Sequence, residues 1–346
     1  MEPLRPADPQ MIGRYRLAGR LGAGGMGEVF FGYSPGGRAV AVKVVRAELG
    51  SDAQFRRRFA REAEAARKVG GFHTAQVVDI DLDADPPWLV TAYVAGPSLA
   101  AVVAEHGALP EHSLRVLGAG LAEALEAIHA VGLVHRDLKP SNILLAADGP
   151  RVIDFGIAQA LEGTALTVPG GSIGTPGFMA PEHIRGAGAG PPSDVFALGA
   201  VLCHAAGVRP FGDGPAHTLL YRIVHGEPDL TGVPDGIRDL VAACLTKDPA
   251  GRPSPTEIVE RLGPDGTISE WLPAPVTRMV GRHQGEKALT TPPHPDPAPE
   301  GPGQAAPAGG KATRGPRTVW PIAVGLGALG LVATVTVGLL LARNPS

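Results

Sequence analysis

His135-Arg136-Asp137-Leu138-Lys139-Pro140-Ser141-Asn142 sets a carboxylate, an ammonium and a carboxamide within the six residues from Asp137 to Asn142. Proline lacks a backbone N–H and clashes with a preceding helical turn, so Pro140 argues against a continuing helix and for a fixed loop. The residue types form an acid/base and metal kit.

Working outward toward the N-terminus, Tyr15 to Leu21, Val29 to Tyr33 and Ala39 to Val45 are short runs rich in β-branched and aromatic residues. Glycine clusters at Gly22 to Gly27 and at Gly36 and Gly37 separate them, which predicts an antiparallel meander. Ala53 to Val69 is dense in Ala, Arg and Glu without Gly or Pro and predicts one exposed helix. Two more strands are expected at Val77 to Leu82 and Trp88 to Val94. After Gly96, Leu114, Leu117, Leu121, Leu125 and Ile128 keep helical spacing, as does Val195 to Ala206. Strands first and helices later imply two lobes with a crevice between them.

The 346 residues suffice for one large two-lobed domain, or two ordinary ones, plus tails. A net charge of -3 provides no broad basic field, which argues against nucleic acid as a partner. Cys203 and Cys244 are the only cysteines, too few for a disulfide framework or a zinc site, and both fall in apolar runs that read as buried helices. Met1 to Gln10 is polar and carries no secretory signal. Val319 to Leu341 holds 23 residues without a charge, about 34 Å as a helix, enough for a hydrocarbon core of roughly 30 Å. Lys311, Arg314 and Arg317 precede this span and Arg343 follows it, which puts the N-terminal side in the cytoplasm. Between the domain and the span, residues 264–318 are expected to be a disordered Pro/Gly/Ala-rich tether reaching on the order of 40 Å.

Gly22-Ala23-Gly24-Gly25-Met26-Gly27 spells GxGxxG, a weak signal that Gly325, Gly327 and Gly330 repeat inside the apolar span. The first match links two predicted strands, where glycines can fold a hairpin over phosphates; a dinucleotide fold would need a helix to follow. Lys43, alone among the apolar neighbours of Val40-Ala41-Val42, must be paired or lie near solvent or ligand. Glu62 on the next helix is the first partner candidate and Glu64 the second. Asp154-Phe155-Gly156 follows a strand-like run and supplies a second carboxylate for magnesium. Gly174-Thr175-Pro176-Gly177-Phe178-Met179-Ala180-Pro181-Glu182 closes the loop that starts there, and Ala298-Pro299-Glu300 is a decoy for its last three letters.

Glycine hairpin, strand lysine, helix glutamate, His-Arg-Asp loop, Asp-Phe-Gly and Ala-Pro-Glu, in one order within one domain, resemble the eukaryotic-type protein kinase set. The resemblance covers about Tyr15 to Leu262, and its texture is similar to that of actinobacterial membrane-anchored Ser/Thr kinases. It implies an α+β, bilobal protein kinase fold: an N-terminal tail at 1–14, then a kinase domain at 15–263. The N-lobe, 15–94, would be an antiparallel sheet with one helix, and the C-lobe, 95–263, mainly helical. The tether at 264–318, a transmembrane helix at 319–341 and a short extracytoplasmic tail at 342–346 would follow.

By the same resemblance, Asp137 would accept or orient the substrate hydroxyl proton, and Asn142 and Asp154 would hold Mg²⁺ or Mn²⁺. Lys43 would grip the α/β-phosphates of ATP, positioned by Glu62, and Lys139 would reach the γ-phosphate. Leu21, Gly22, Gly24 and Gly27 would cover the nucleotide. Val29, Ala41 and Leu144 would sandwich adenine, Ala92 and Val94 would present hinge backbone to it, and Thr91 falls at the gatekeeper position. Arg136 would meet an activation-loop phosphate, with Thr164, Thr167 and Ser172 as acceptors and Thr167 favoured by spacing; Thr175 would serve the substrate platform or be a second phosphosite. Phe178 and Phe196 depart from the usual tyrosine and tryptophan, and Glu182 and Arg252 match an ion pair that pins the activation segment. The implied activity is ATP-dependent phosphorylation of Ser/Thr in protein substrates with autophosphorylation, on the cytoplasmic face of a membrane. The alternatives are a pseudokinase scaffold and a small-molecule phosphotransferase of related fold. Ala323 and Gly327, one helical turn apart, suggest dimers for trans-phosphorylation.

Overall fold

A period-two burial pattern organises the first lobe in the computed structural model, which describes residues 1–24, 27–46, 53–154, 176–263 and 270–290. Six antiparallel strands, β1 (Met11–Ile12), β2 (Tyr15–Gly24), β3 (Gly27–Tyr33), β4 (Ala39–Val45), β5 (Val77–Asp81) and β6 (Trp88–Ala92), lie in the order β1-β2-β3-β4-β6-β5. Along β4, Val40 and Val42 are buried while Ala41 and Lys43 are only half-buried. Val40 and Val42 pack with Tyr15, Leu17, Phe30, Trp88 and Val90. Because side chains alternate between faces, Ala41 and Lys43 stand on the opposite face. Helix α1 (Ala53–Ala66) sends Phe59, Ala63 and Ala66 into the larger core with Val45 and Leu89.

The second lobe is built from α2 (Leu99–His106), α3 (Glu111–Ala130), the hairpin β7 (Ile143–Ala146) and β8 (Gly149–Val152), and then helices α4 to α9. These helices are α4 (Pro181–Ile184), α5 (Pro191–Ala205), α6 (Ala216–His225), α7 (Asp235–Cys244), α8 (Pro255–Leu262) and α9 (Ala274–Thr290). The predicted stripe of α3, Leu114, Leu117, Leu121, Leu125 and Ile128, is fully buried. Helix α5 is buried almost all round, as an apolar run without a polar face requires. It can approach α7 closely because Gly199 has no side chain: a Cβ there would sit 2.8 Å from Cβ of Cys244. Cys203 and Cys244 are buried as expected, and desolvation pushes both thiols up to about 12. Helix α8 starts on a capping box in which Ser254 Oγ accepts the Glu257 N–H at 3.2 Å and the Glu257 carboxylate accepts the Ser254 N–H at 2.7 Å.

The expected tether begins later than residue 264. Trp271, Leu272, Val276, Met279 and Val280 are buried in the main core, and α9 runs on to Thr290. Ser113 Oγ donates to the Trp271 carbonyl at 2.5 Å, and Trp271 Nε1 donates to the Ala146 carbonyl at 3.2 Å. Burying an aromatic of this size outweighs the helix-poor composition around Pro273 and Pro275. The remainder of the tether and the span at 319–341 lie outside the described residues; among those described, no helix is long and apolar enough to cross a membrane.

Candidate active site

The loop after α3 is shaped by an acid at the start of α5. Asp194 is 1% exposed and accepts N–H groups from His135 and Arg136, each at 2.8 Å, and a contact from His129 Nε2 at 2.7 Å. These bonds hold Arg136 at φ 64°, a left-handed conformation that costs an L-residue roughly 1–2 kcal/mol. His135 is wholly buried; desolvation pushes its imidazole pKa down, so the ring is neutral and Nδ1 can accept the Asp137 N–H at 3.3 Å. Sequence reasoning missed Asp194 and His129 as parts of the site. The available signal was a lone carboxylate in the first turn of an otherwise apolar helix, which has to find partners.

With its backbone so held, Asp137 is oriented by two donors. Lys139 Nζ lies 2.7 Å from Asp137 Oδ2, and Asn142 Nδ2 donates to Asp137 Oδ2 at 3.1 Å and to its carbonyl at 2.9 Å. The Ile153 N–H donates to the Asn142 carbonyl at 2.9 Å, coupling this loop to Asp154. Asp154 also takes a positive φ, 57°, and its Oδ1 meets Lys43 Nζ at 3.2 Å. Asn142, with its Nδ2 turned onto Asp137, keeps a carbonyl oxygen to offer a cation, and Asp154 adds a carboxylate that is 37% exposed. Hard oxygen donors in small number suit Mg²⁺, which keeps waters and takes its remaining ligands from phosphates.

The expected Lys43–Glu62 pair is not the one formed. Glu62 Oε1 accepts from Arg136 at 3.1 Å, while Lys43 turns to Asp154. A carboxylate only 6% exposed demands a cation, and Arg136, held by Asp194, brings one to α1. Glu64, the second candidate, is exposed.

Val29 stands opposite Lys43 across β3 and β4, and Ala41 lies two residues before it, so the three share the cleft face. The described glycines of the run lie at the strand ends, with Gly22, Ala23 and Gly24 of β2 opposite Val29, Glu28 and Gly27 of β3. A Cβ on Gly27 would lie 1.8 Å from the Val44 carbonyl, so no side chain fits there, whereas Gly22 and Gly24 face open space. Leu21 is 36% exposed beside them. Thr91 and Ala92 pair with Ala41 and Val40, and Val94 lies on the link from β6 to α2. That link crosses β7 tightly: a Cβ on Gly96 would sit 2.2 Å from the Leu145 carbonyl, and Ser98 bridges Leu144. Phe155, Gly156, Thr164, Thr167, Ser172 and Thr175 lie outside the described residues.

Below the cleft, Arg252 and Glu182 form the expected pair. The two guanidinium terminal nitrogens each donate to a Glu182 oxygen at 2.8 Å, and Arg252 also donates to the carbonyls of Pro192 and Thr246 at 2.7 and 2.9 Å. Burial pushes the Glu182 carboxyl up, but hydrogen bonds from Arg252 and from Ser193, the latter at 2.6 Å, outweigh it and hold the pKa below its ordinary value.

The family described as the protein kinase domain matches residues 15–262. A probable serine/threonine-protein kinase, PkwA of Thermomonospora curvata, is 53% identical over 293 residues, covering 84% of this chain and 40% of that protein. The serine/threonine-protein kinase AfsK of Streptomyces griseus is 48% identical over 326 residues, covering 88% of this chain and 40% of its own. The chain thus spans about 40% of the length of these relatives. Among solved structures, the PknI kinase domain of Mycobacterium tuberculosis superposes with a TM-score of 0.59 at 26% identity, covering 75% of this chain and 98% of that one.

Proposed function

The chain belongs to the protein kinase family, of actinobacterial Ser/Thr type, and we propose that it transfers the γ-phosphoryl group of ATP to Ser and Thr hydroxyls of proteins. The observation that carries this reading is Asp137 fixed between Lys139 and Asn142 on a strained loop anchored by Asp194. Asp137 orients the acceptor hydroxyl and takes its proton, and Lys139 stands beside it to balance charge on the phosphoryl oxygens. Lys43 holds the α/β-phosphates, with the open backbone at Gly22 and Gly24 above them. Asn142 and Asp154 would hold Mg²⁺, which when bound would neutralise phosphate charge. Val29, Ala41 and Leu144 enclose adenine, and Ala92 and Val94 offer it hinge backbone. Lys43→Met should abolish transfer from labelled ATP; full activity in that variant would overturn the assignment.

The Arg136–Glu62 contact belongs to a resting state. A phosphate on Thr167, Thr164 or Thr175 would compete for Arg136 and release Glu62 toward Lys43, so autophosphorylation, in trans within a homodimer, would switch the site on. The uncharged run at 319–341 supports a single-pass anchor in the cell membrane with the kinase domain on the cytoplasmic side, joined by the Pro-rich stretch that follows residue 290.

A further inference from the structure

A cavity of about 470 Å³ opens beside the catalytic loop. Lys139, Ser141, Phe178, His204, Phe211 and Leu219 are among the residues that line it. Because Lys139 also contacts Asp137, an occupant of this cavity lies next to the reacting hydroxyl. The lining has no spare charge. Among its described residues Arg209 and Asp213 hold each other and Lys139 is held by Asp137. His204 meets Phe178 edge-on with centroids 6.1 Å apart, and its Nε2 is buried without a hydrogen-bond partner. Desolvation, reinforced by Arg209, pushes the His204 pKa down, so the ring is neutral.

We infer that this cavity is a specificity pocket for a large uncharged side chain, aromatic or long aliphatic, at one position close to the acceptor in the protein substrate, and that it rejects arginine and lysine there. The inference rests on the protein kinase reading and deepens it. An apolar occupant covers Phe178, Leu219 and Phe211 and meets lost water with dispersion contacts. An arginine would be desolvated with no free carboxylate among the described lining residues to meet it. His204 is the residue that decides the preference, because it stands on the wall where a carboxylate would reverse the sign.

The test uses the purified full chain, ATP with Mg²⁺, and a Ser/Thr peptide library randomised at every position flanking the acceptor. Wild type should favour large uncharged residues over arginine at one position by roughly tenfold in kcat/KM. His204→Glu should shift that ratio toward arginine by about tenfold at the same position and no other. Leu219→Glu, at another lining residue, should shift it in the same direction, and covers the case in which His204→Glu does not fold. Transfer by wild type with no positional preference, or a preference that neither variant moves, would overturn the pocket while leaving the kinase reading intact. No transfer to any peptide would overturn both.

Discussion

Glu182→Gln removes one charge from a pair whose other member cannot reach water. The Arg252 side chain is 0% exposed, and its bidentate contact with Glu182 supplies the carboxylate that offsets its desolvation. A glutamine can still accept one hydrogen bond, but it leaves the guanidinium uncompensated, which costs about 3–5 kcal/mol. For a domain of this size each kcal/mol moves the melting temperature by about 2–4 °C, so the variant should melt on the order of 6–20 °C lower. Thermal unfolding followed by circular dichroism reads this directly. The pair should also act as a unit: Glu182→Gln/Arg252→Met should lose clearly less than the sum of the two single variants. The pH dependence has a defined sign. Because the folded carboxyl lies below its ordinary value of 4.5, its contribution is fully present above that pH and is lost as pH falls through the lower folded value. Wild type should lose stability in that acid window and the glutamine variant should lack this component. A melting shift under about 2 °C, or strict additivity, would mean that Glu182 does not offset the buried charge of Arg252.

Trp271→Ala should destabilise the domain by about 3–5 kcal/mol, seen as a lower midpoint in denaturant, because a ring that is 1% exposed leaves a cavity; an unchanged midpoint would mean the segment is not docked. Asp194→Asn should lower kcat by about a hundredfold while leaving KM for ATP nearly unchanged, since it displaces Asp137 through the backbone of His135 and Arg136. With thiols pushed up to about 12, Cys203 and Cys244 should be silent to a thiol reagent at pH 8 in the folded chain and should both react after unfolding in guanidinium.

Much of this architecture was legible in the residues because local and global preferences agree. The strand runs before Gly96 and the leucine stripe of α3 each match one period, and the paired registers follow. The Glu182–Arg252 pair was implied by the resemblance to the kinase motif set. What escaped depends on distances that sequence does not carry. Nothing in the spacing of Glu62, Lys43 and Arg136 says which cation the glutamate meets, since both can reach it and the choice turns on the placement of α1. The anchoring role of Asp194 escaped because its partners are 65, 59 and 58 residues away. Trp271 was hidden by composition: the prolines around it signal a tether, whereas its buried ring, with Leu272, Val276, Met279 and Val280, docks the segment.

We propose that Asp137, as placed by Lys139 and Asn142, serves phosphoryl transfer to protein hydroxyls. The most direct measurement is phosphoamino-acid analysis after incubating the full chain with γ-labelled ATP, Mg²⁺ and protein substrate, comparing wild type with Asp137→Asn. Label on phosphoserine and phosphothreonine in wild type, with a loss of at least about a hundredfold in the variant, is the predicted result. Equal labelling by Asp137→Asn, or no label on protein with wild type, would contradict it.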